Sequence, residues 1–124
     1  MKAKTTGHLA EIIAQRYLIK KGLRIIETNY RTPRGEIDIV ATNGHEILFV
    51  EVRSKTGTGF GSPEESITMT KKTRLVAAAE YFLQSNKGSE VDYRIDVIAI
   101  RLDADLNPIS IDHIPYAFDQ PDKT

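Results

Sequence analysis

Two acidic residues, Asp38 and Glu51, stand in neighbouring runs of alternating apolar residues, and a basic residue, Arg53, follows the second of them. Strand side chains alternate with period two, so Glu51 and Arg53 share one face of their strand. Two carboxylates that converge repel each other unless a cation lies between them. Mg²⁺ takes oxygen ligands, commonly one or two carboxylates with waters and a phosphate. The spacing therefore predicts a magnesium site suited to phosphodiester chemistry.

The Asn43-Gly44 pair between the two runs indicates a β-hairpin, because both central positions of its turn need positive φ. With these two residues as the whole loop, Asp38 faces Phe49 across the hairpin. Asp38 and Glu51 are then diagonal neighbours on one face of the sheet, roughly 7–8 Å apart. This register predicts that both carboxylates reach one point.

The predicted roles follow from side-chain chemistry. Asp38 and Glu51 supply carboxylate ligands for the metal, and the carbonyl of Val52 supplies a third oxygen. Arg53 suits charge stabilisation and bidentate contact with phosphate, but its guanidinium stays protonated and is a poor general base. Lys55, on the same face, loses a proton more readily but lies further away. The alternative is a solvated, charged strand end in which Glu51 pairs with Arg53 or Arg34.

Glu11 is a third candidate acid. It lies on the predicted first helix, where the small residues Ala10 and Ala14 would let the helix approach the sheet closely. A carboxylate there could hold a water at the metal. The alternative is an ordinary acid on a helix surface.

Basic residues form a candidate nucleic-acid surface. Lys71, Lys72 and Arg74 crowd the start of the second predicted helix, where the helix dipole disfavours cations. A phosphate docked at the free N–H groups of that helix end would account for them. Arg31 and Arg34 extend the same surface. Solvated basic side chains are the alternative.

Composition bounds the class of protein. The chain has 124 residues, no cysteine and a formal net charge of zero. Residues 1–75 hold 13 Lys/Arg against 8 Asp/Glu, and residues 76–124 hold 4 against 9, which is compatible with one basic, phosphate-facing side. No apolar run approaches the roughly 20 residues of a membrane span. We therefore expect a cytoplasmic protein without a membrane partner, with one domain over residues 1–118 and a polar tail over residues 119–124.

The pattern of elements predicts an α/β fold, a mixed sheet of four to five strands flanked by two main helices. One apolar face of the hairpin should rest on a helix and comprises Ile37, Ile39, Leu48, Val50 and Val52. A loop with glycines at 57, 59 and 61 could approach a ligand closely. The predicted helices cover residues 6–21 and 70–84, and the predicted strands cover residues 23–28, 36–42, 45–54, 93–102 and 109–114.

An ordered set of short motifs resembles the bacterial YraN-like family, which is assigned to the PD-(D/E)xK nuclease superfamily near archaeal Holliday junction resolvases and tRNA-endonuclease-like domains. The similarity reaches to about Leu102. It implies a restriction endonuclease-like core, with Glu11, Asp38 and Glu51 as metal-site acids and Arg53 where the superfamily usually has lysine. The motifs are Gly7-x-x-Ala10-Glu11-x-x-Ala14, Asn29-Tyr30-Arg31, Gly35-Glu36-Ile37-Asp38, Phe49-Val50-Glu51-Val52-Arg53, Lys72-x-Arg74-Leu75 and Arg94-Ile95-Asp96-Val97.

Three functions are compatible with these features. The first is an endonuclease that uses Mg²⁺, or Mn²⁺, to hydrolyse structured or branched DNA, with RNA as the other substrate and a homodimer as the expected assembly. The second is a nucleic-acid-binding module of the same fold that does not cleave. The third is an adaptor that binds a protein through the sheet edge or the glycine loop.

Overall fold

The chain forms one mixed β-sheet with a helix on each face. The computed structural model describes residues 2–56, 68–86 and 91–118. The strand order is β1-β2-β3-β4-β5, with β3 and β4 parallel and the other neighbours antiparallel. The predicted α/β architecture is confirmed. The elements are α1 (Lys2–Lys20), β1 (Arg24–Thr32), β2 (Gly35–Thr42), β3 (Glu46–Thr56), α2 (Met69–Ser85), β4 (Asp92–Leu102) and β5 (Pro108–Ile114).

Two parts of the predicted organisation, the glycine loop around residues 57–61 and the polar tail of residues 119–124, lie outside the described residues. Neither α1 nor α2, the helices within the described ranges, is long and apolar enough to cross a membrane.

Each helix covers its own apolar cluster. On one face, α1 buries Ala10, Ala14 and Leu18, one helical turn apart, against β2, β3 and β4. On the other face, α2 buries a stripe that includes Leu75 and Phe82. The alanines let α1 lie close to the sheet, as the sequence predicts. This closeness matters because Glu11 follows the first of them.

One expectation about the hairpin face is wrong. Ile39 packs against α1, but Ile37 packs against α2 on the opposite face. Tyr30, the partner of Ile37 in β1, also packs on the α2 side. The two strands therefore reverse their faces together, at the point where Asn29 of β1 has a φ of 52°.

The turn of the hairpin lies one residue later than predicted. The N–H of Asn43 donates to the carbonyl of Glu46 at 3.4 Å, so Gly44 and His45 are the two central residues. Gly44 supplies the positive φ of this turn, 93°. The Asn43 carboxamide oxygen accepts the N–H groups of His45 and Glu46, both at 2.8 Å. Asn43 thus stabilises the turn from the position that precedes the two central residues.

The later turn moves the strand register by two residues and leaves the shared face intact. Ile39 pairs with Val50, so Asp38 comes opposite Glu51 and not opposite Phe49 as predicted. Side chains two positions apart project to the same side of a strand. The two acids are consequently opposed in register, and their carboxyls are close enough to share a hydrogen bond.

Asp96 forms a structural polar network under β5. Its side chain is fully buried, and Arg94 donates to both carboxylate oxygens at 3.0 and 3.1 Å. His113 lies 2.7 Å from Asp96 and 3.0 Å from the hydroxyl of Tyr17. Arg94 also pairs with Glu46 at 3.0 Å. The network ties α1, β3, β4 and β5 together.

Candidate functional site

The two acids lie where β2 and β3 separate. The last pair between these strands is Ile39 with Val50, whereas β3 continues to pair with β4 as far as Thr56. Beyond that pair, the Val52 N–H donates to Oδ2 of Asp38 at 2.8 Å, in place of a bond to the β2 backbone. A cleft of about 260 Å³ opens in this fork. The fork therefore gives side chains from both strands access to one space.

Helix α1 adds a third acid to the fork. Glu11 lines the cleft beside Gly7 and Ala10 of the same helix. The carboxyls of Asp38 and Glu51 are close enough to share a hydrogen bond, and Glu11 contacts Asp38 in the same way. Because Ala10 is buried against the sheet, the next residue is carried to the cleft.

Helix α2 contributes the basic side of the cleft through Lys71 and Arg74. Its position depends on Gly35, the first residue of β2. A Cβ atom at Gly35 would lie 2.5 Å from the carbonyl oxygen of Arg74, so a larger residue would push α2 away. The glycine of the Gly35-Glu36-Ile37-Asp38 motif thus sets the distance between the acids and the cations.

Glu51 carries the strongest electrostatic perturbation in the cleft. Burial, and after it the negative charge of Asp38, raise the pKa of Glu51 to about 7, although Lys71 and Arg53 act in the opposite direction. Arg53 lies 3.5 Å from Glu51, and the two side chains are 24% and 14% exposed. At neutral pH, Glu51 therefore retains a proton in part of the population unless another cation approaches.

The pKa values of the other two acids are also raised. Burial is the main cause for Glu11, followed by the charge of Asp38, while Asn29 lowers its pKa. Burial likewise raises the pKa of Asp38, against the effect of the Val52 N–H. Burial is thus the main cause of the raised pKa in all three acids, and the charge of Lys71 lowers the pKa of Asp38 and Glu51.

The donor set fits a hard divalent cation. Within the three described ranges, no three histidine, cysteine or carboxylate side chains form a ready-made metal cage. Mg²⁺ nevertheless commonly takes only one or two carboxylates, together with waters and substrate phosphate, and Asp38 and Glu51 meet that requirement. Oxygen donors without sulfur suit Mg²⁺ or Mn²⁺. The Val52 residue also lines the cleft, as the predicted third oxygen requires.

Several predicted phosphate contacts lie away from the cleft lining. Arg31 is 80% exposed and pairs with Glu36 at 3.6 Å, and Arg34 is exposed in the β1–β2 turn. The Lys72 ammonium lies 5.1 Å from the centre of the Phe118 ring. Arg53 does not line the cleft itself but contacts Glu51, which does. Lys55, further along β3, also lies outside the cleft lining. Their roles as phosphate contacts stay predictions.

The N-cap of α2 engages one of the N–H groups at the start of that helix. Thr68 is its N-cap, and the Thr68 hydroxyl accepts the N–H of Lys71 at 3.1 Å. The Thr68 carbonyl also accepts the N–H of Lys72 at 2.9 Å. Part of the N–H groups at the start of α2 are thus already hydrogen-bonded within the protein. A phosphate bound there would depend more on the charges of the basic side chains, and less on free N–H groups, than the sequence suggests.

Sequence reasoning missed three residues at the site. Glu36 lines the cleft and raises the pKa of Asp38, and it could have been found because it precedes Asp38 by two positions. Ser54 lines the cleft because β3 has lost its neighbour there. Asn29, which lowers the pKa of Glu11, is the first residue of the Asn29-Tyr30-Arg31 motif, but its position in the sequence does not indicate a contact with Glu11.

Comparison with known proteins assigns the family. The family model described as "Uncharacterised protein family UPF0102" matches residues 10–100. The chain belongs to this family. The matched range contains Glu11, Asp38, Glu51 and Arg53, and so covers the predicted acids of the cleft.

Curated UPF0102 relatives match nearly the full chain. A UPF0102 protein of Moorella thermoacetica is 41% identical over 118 residues, 95% of this chain and 98% of the relative. A UPF0102 protein of Caldicellulosiruptor saccharolyticus is 38% identical, with 95% and 100% coverage. A UPF0102 protein of Clostridioides difficile is 40% identical over 102 residues, 82% of this chain and 90% of the relative.

Proposed function

We propose that this UPF0102 protein is a divalent-metal-dependent endonuclease of structured or branched DNA. The observation that carries the proposal is the convergence of Glu11, Asp38 and Glu51 in the fork between β2 and β3, with Lys71 opposite them. Buried carboxyls with raised pKa values favour a cation at this point, because a cation relieves their repulsion. The resemblance to PD-(D/E)xK nucleases supports the same reading.

Asp38 and Glu51 would hold the metal, with the Val52 carbonyl as a further oxygen. Bound there, Mg²⁺ would polarise a phosphoryl oxygen and favour ionisation of a water. Glu11, which contacts Asp38, would orient that water toward the phosphorus. Water adds to phosphorus and one P–O ester bond breaks, so the products are a phosphate monoester and a free hydroxyl.

The basic residues would bind the strand and balance its charge. Lys71 and Arg74 lie beside the acids and would contact the scissile phosphate or its neighbour. Arg53, which contacts Glu51 at 3.5 Å, would stabilise the negative charge that develops on the phosphate in the transition state. Arg31, Arg34, Lys55 and Lys72 would contact flanking phosphates.

Arg53 also supports a second candidate, a nucleic-acid-binding module that does not cleave. A guanidinium cannot act as a base at neutral pH, whereas the lysine usual at this position can lose a proton. If a base is needed here, the fold would still bind nucleic acid through its cations. Its affinity would then fall steeply with salt and respond little to loss of the acids.

The test is incubation of the purified protein with duplex, single-stranded, flap and four-way-junction DNA, and with RNA, in Mg²⁺ or Mn²⁺. Asp38→Asn and Glu51→Gln should abolish cleavage, and the exposed β5 variant Asp112→Asn should not. Cleavage that survives in Asp38→Asn would come from a contaminant and would contradict the site. Tight, salt-sensitive binding without cleavage would support the binding module instead.

A further inference from the structure

Asn29 has a left-handed backbone in the middle of a strand. Its φ is 52° within β1, where extended values are the rule. Asparagine tolerates this region better than most residues, but it still persists only where the surroundings enforce it. The residue is exposed, so burial of its own side chain does not account for the conformation.

The position of Asn29 coincides with the fork. Thr28 pairs with Ile39 and Tyr30 with Ile37, so Asn29 lies opposite Asp38. At this point the β1–β2 ribbon reverses its faces, and the residues of β2 that precede Ile39 do not pair with β3. The left-handed residue thus stands beside the one acid that must leave the regular ladder to enter the cleft.

The side chain of Asn29 also reaches the acid on α1. Its amide lies close enough to the Glu11 carboxyl to act as a hydrogen-bond donor and to lower the pKa of that group. Glu11 in turn contacts Asp38. One residue therefore adjoins two of the three acids, Asp38 through the strand pairing and Glu11 through its amide.

We infer that Asn29 is the positioning residue of the acid cluster. Its left-handed backbone turns the β1–β2 ribbon so that Asp38 enters the fork, and its amide holds the Glu11 carboxyl toward Asp38. This role in metal binding rests on the proposed function, whereas the contact with Glu11 does not. Groups that orient metal-site residues typically change metal affinity or activity by about 10–100-fold when they are removed.

Three substitutions separate the backbone from the amide. Asn29→Gly keeps the left-handed conformation without steric cost and removes the amide. Asn29→Ala removes the amide and disfavours the conformation. The probe is Mn²⁺ alone, titrated calorimetrically. Asn29→Gly should bind Mn²⁺ about 10–100-fold more weakly with an unchanged Tm, and Asn29→Ala should also melt several degrees lower. Asn29→Asp, which keeps the shape but loses the donor, should not restore the Glu11 contact.

A double-mutant cycle with Glu11→Gln tests whether Asn29 acts through Glu11. In that background, Asn29→Gly should cause a much smaller loss of Mn²⁺ affinity than in the wild type. The inference is overturned if Asn29→Gly binds Mn²⁺ as tightly as the wild type does. It is also overturned if Asn29→Gly lowers Mn²⁺ affinity by the same factor in the wild type and in Glu11→Gln. If the wild type binds no Mn²⁺, the proposed function fails, and the metal-free ¹³C resonance of the Glu11 carboxyl decides. A shift in Asn29→Gly supports the positioning role, and an unchanged resonance overturns it.

Discussion

Replacing Glu51 by glutamine should stabilise the folded protein at alkaline pH. Burial and the charge of Asp38 raise the pKa of Glu51 from the ordinary value of 4.5 to about 7. The folded state thus binds the Glu51 proton more tightly than the unfolded state does. Stability from this group is present in full below about pH 4.5 and declines as the pH rises to about 7. Glutamine stays neutral and avoids that decline.

The magnitude follows from the size of the shift. One pKa unit corresponds to about 1.4 kcal/mol, so the rise of Glu51 to about 7 amounts to roughly 3 kcal/mol at pH 8. The side chain is only 14% exposed, so solvent screens the effect little. This is the largest gain expected, because Asp38 shares the titration of Glu51. For a protein of this size it corresponds to roughly 10 °C in Tm.

The assay is urea denaturation at pH 8 and pH 4, with a chelator present. Glu51→Gln should raise the free energy of unfolding at pH 8 and leave it nearly unchanged at pH 4. The control is Glu27→Gln, which removes an exposed carboxylate of β1 and should have little effect at either pH. A Glu51→Gln protein that is no more stable than wild type at pH 8, or equally stabilised at both pH values, would refute the reasoning.

Gly35→Ala should lower the free energy of unfolding by about 1–3 kcal/mol in urea, because the new methyl group would lie 2.5 Å from a backbone oxygen of α2. Asp96→Ala should lower it by about 3–5 kcal/mol, since the half-buried Arg94 loses one of its two carboxylate partners. Lys71→Met should raise the pKa of Glu51 further, because the lysine charge now lowers it; a ¹³C titration of that carboxyl measures the change.

Matched variants sharpen these three tests. A Cβ atom added to Gly7 of α1 would have no packing neighbour within 4 Å. Gly7→Ala should therefore stabilise the helix by about 0.5–1 kcal/mol. Asp112→Ala removes an exposed acid and should be nearly neutral. Lys72→Met should leave the Glu51 pKa unchanged. A neutral Gly35→Ala or Asp96→Ala, or a Lys71→Met that behaves like Lys72→Met, would contradict the packing or charge argument behind it.

The fold was predictable because local signals and the hydrophobic pattern agree. The order of elements, the two helices and a mixed sheet follow from periodicity and from turn residues. The hairpin shows where this reasoning ends. The turn is centred on Gly44 and His45 instead of Asn43 and Gly44, which shifts the strand register by two residues. A shift of two residues keeps Asp38 on the same face, so Asp38 and Glu51 still come together.

The reversal of faces between Ile39 and Ile37 could not be predicted from alternation. It coincides with a left-handed residue in the neighbouring strand, Asn29, and strand periodicity gives no sign of such a residue. The fork between β2 and β3 opens at the same place, and Ser54 of β3 lines it. Residue type and spacing therefore predicted Glu11, Asp38 and Glu51, whereas Ser54 and Asn29 could be recognised only from the three-dimensional arrangement.

The proposed function requires a divalent ion bound between Asp38 and Glu51. The most direct measurement is an anomalous diffraction map from crystals soaked in Mn²⁺. We expect a single strong peak in the β2–β3 fork, about 2.1–2.2 Å from oxygens of both carboxylates, that disappears in Asp38→Asn. A map with no peak in the fork, or with Mn²⁺ held by other residues, would contradict the account.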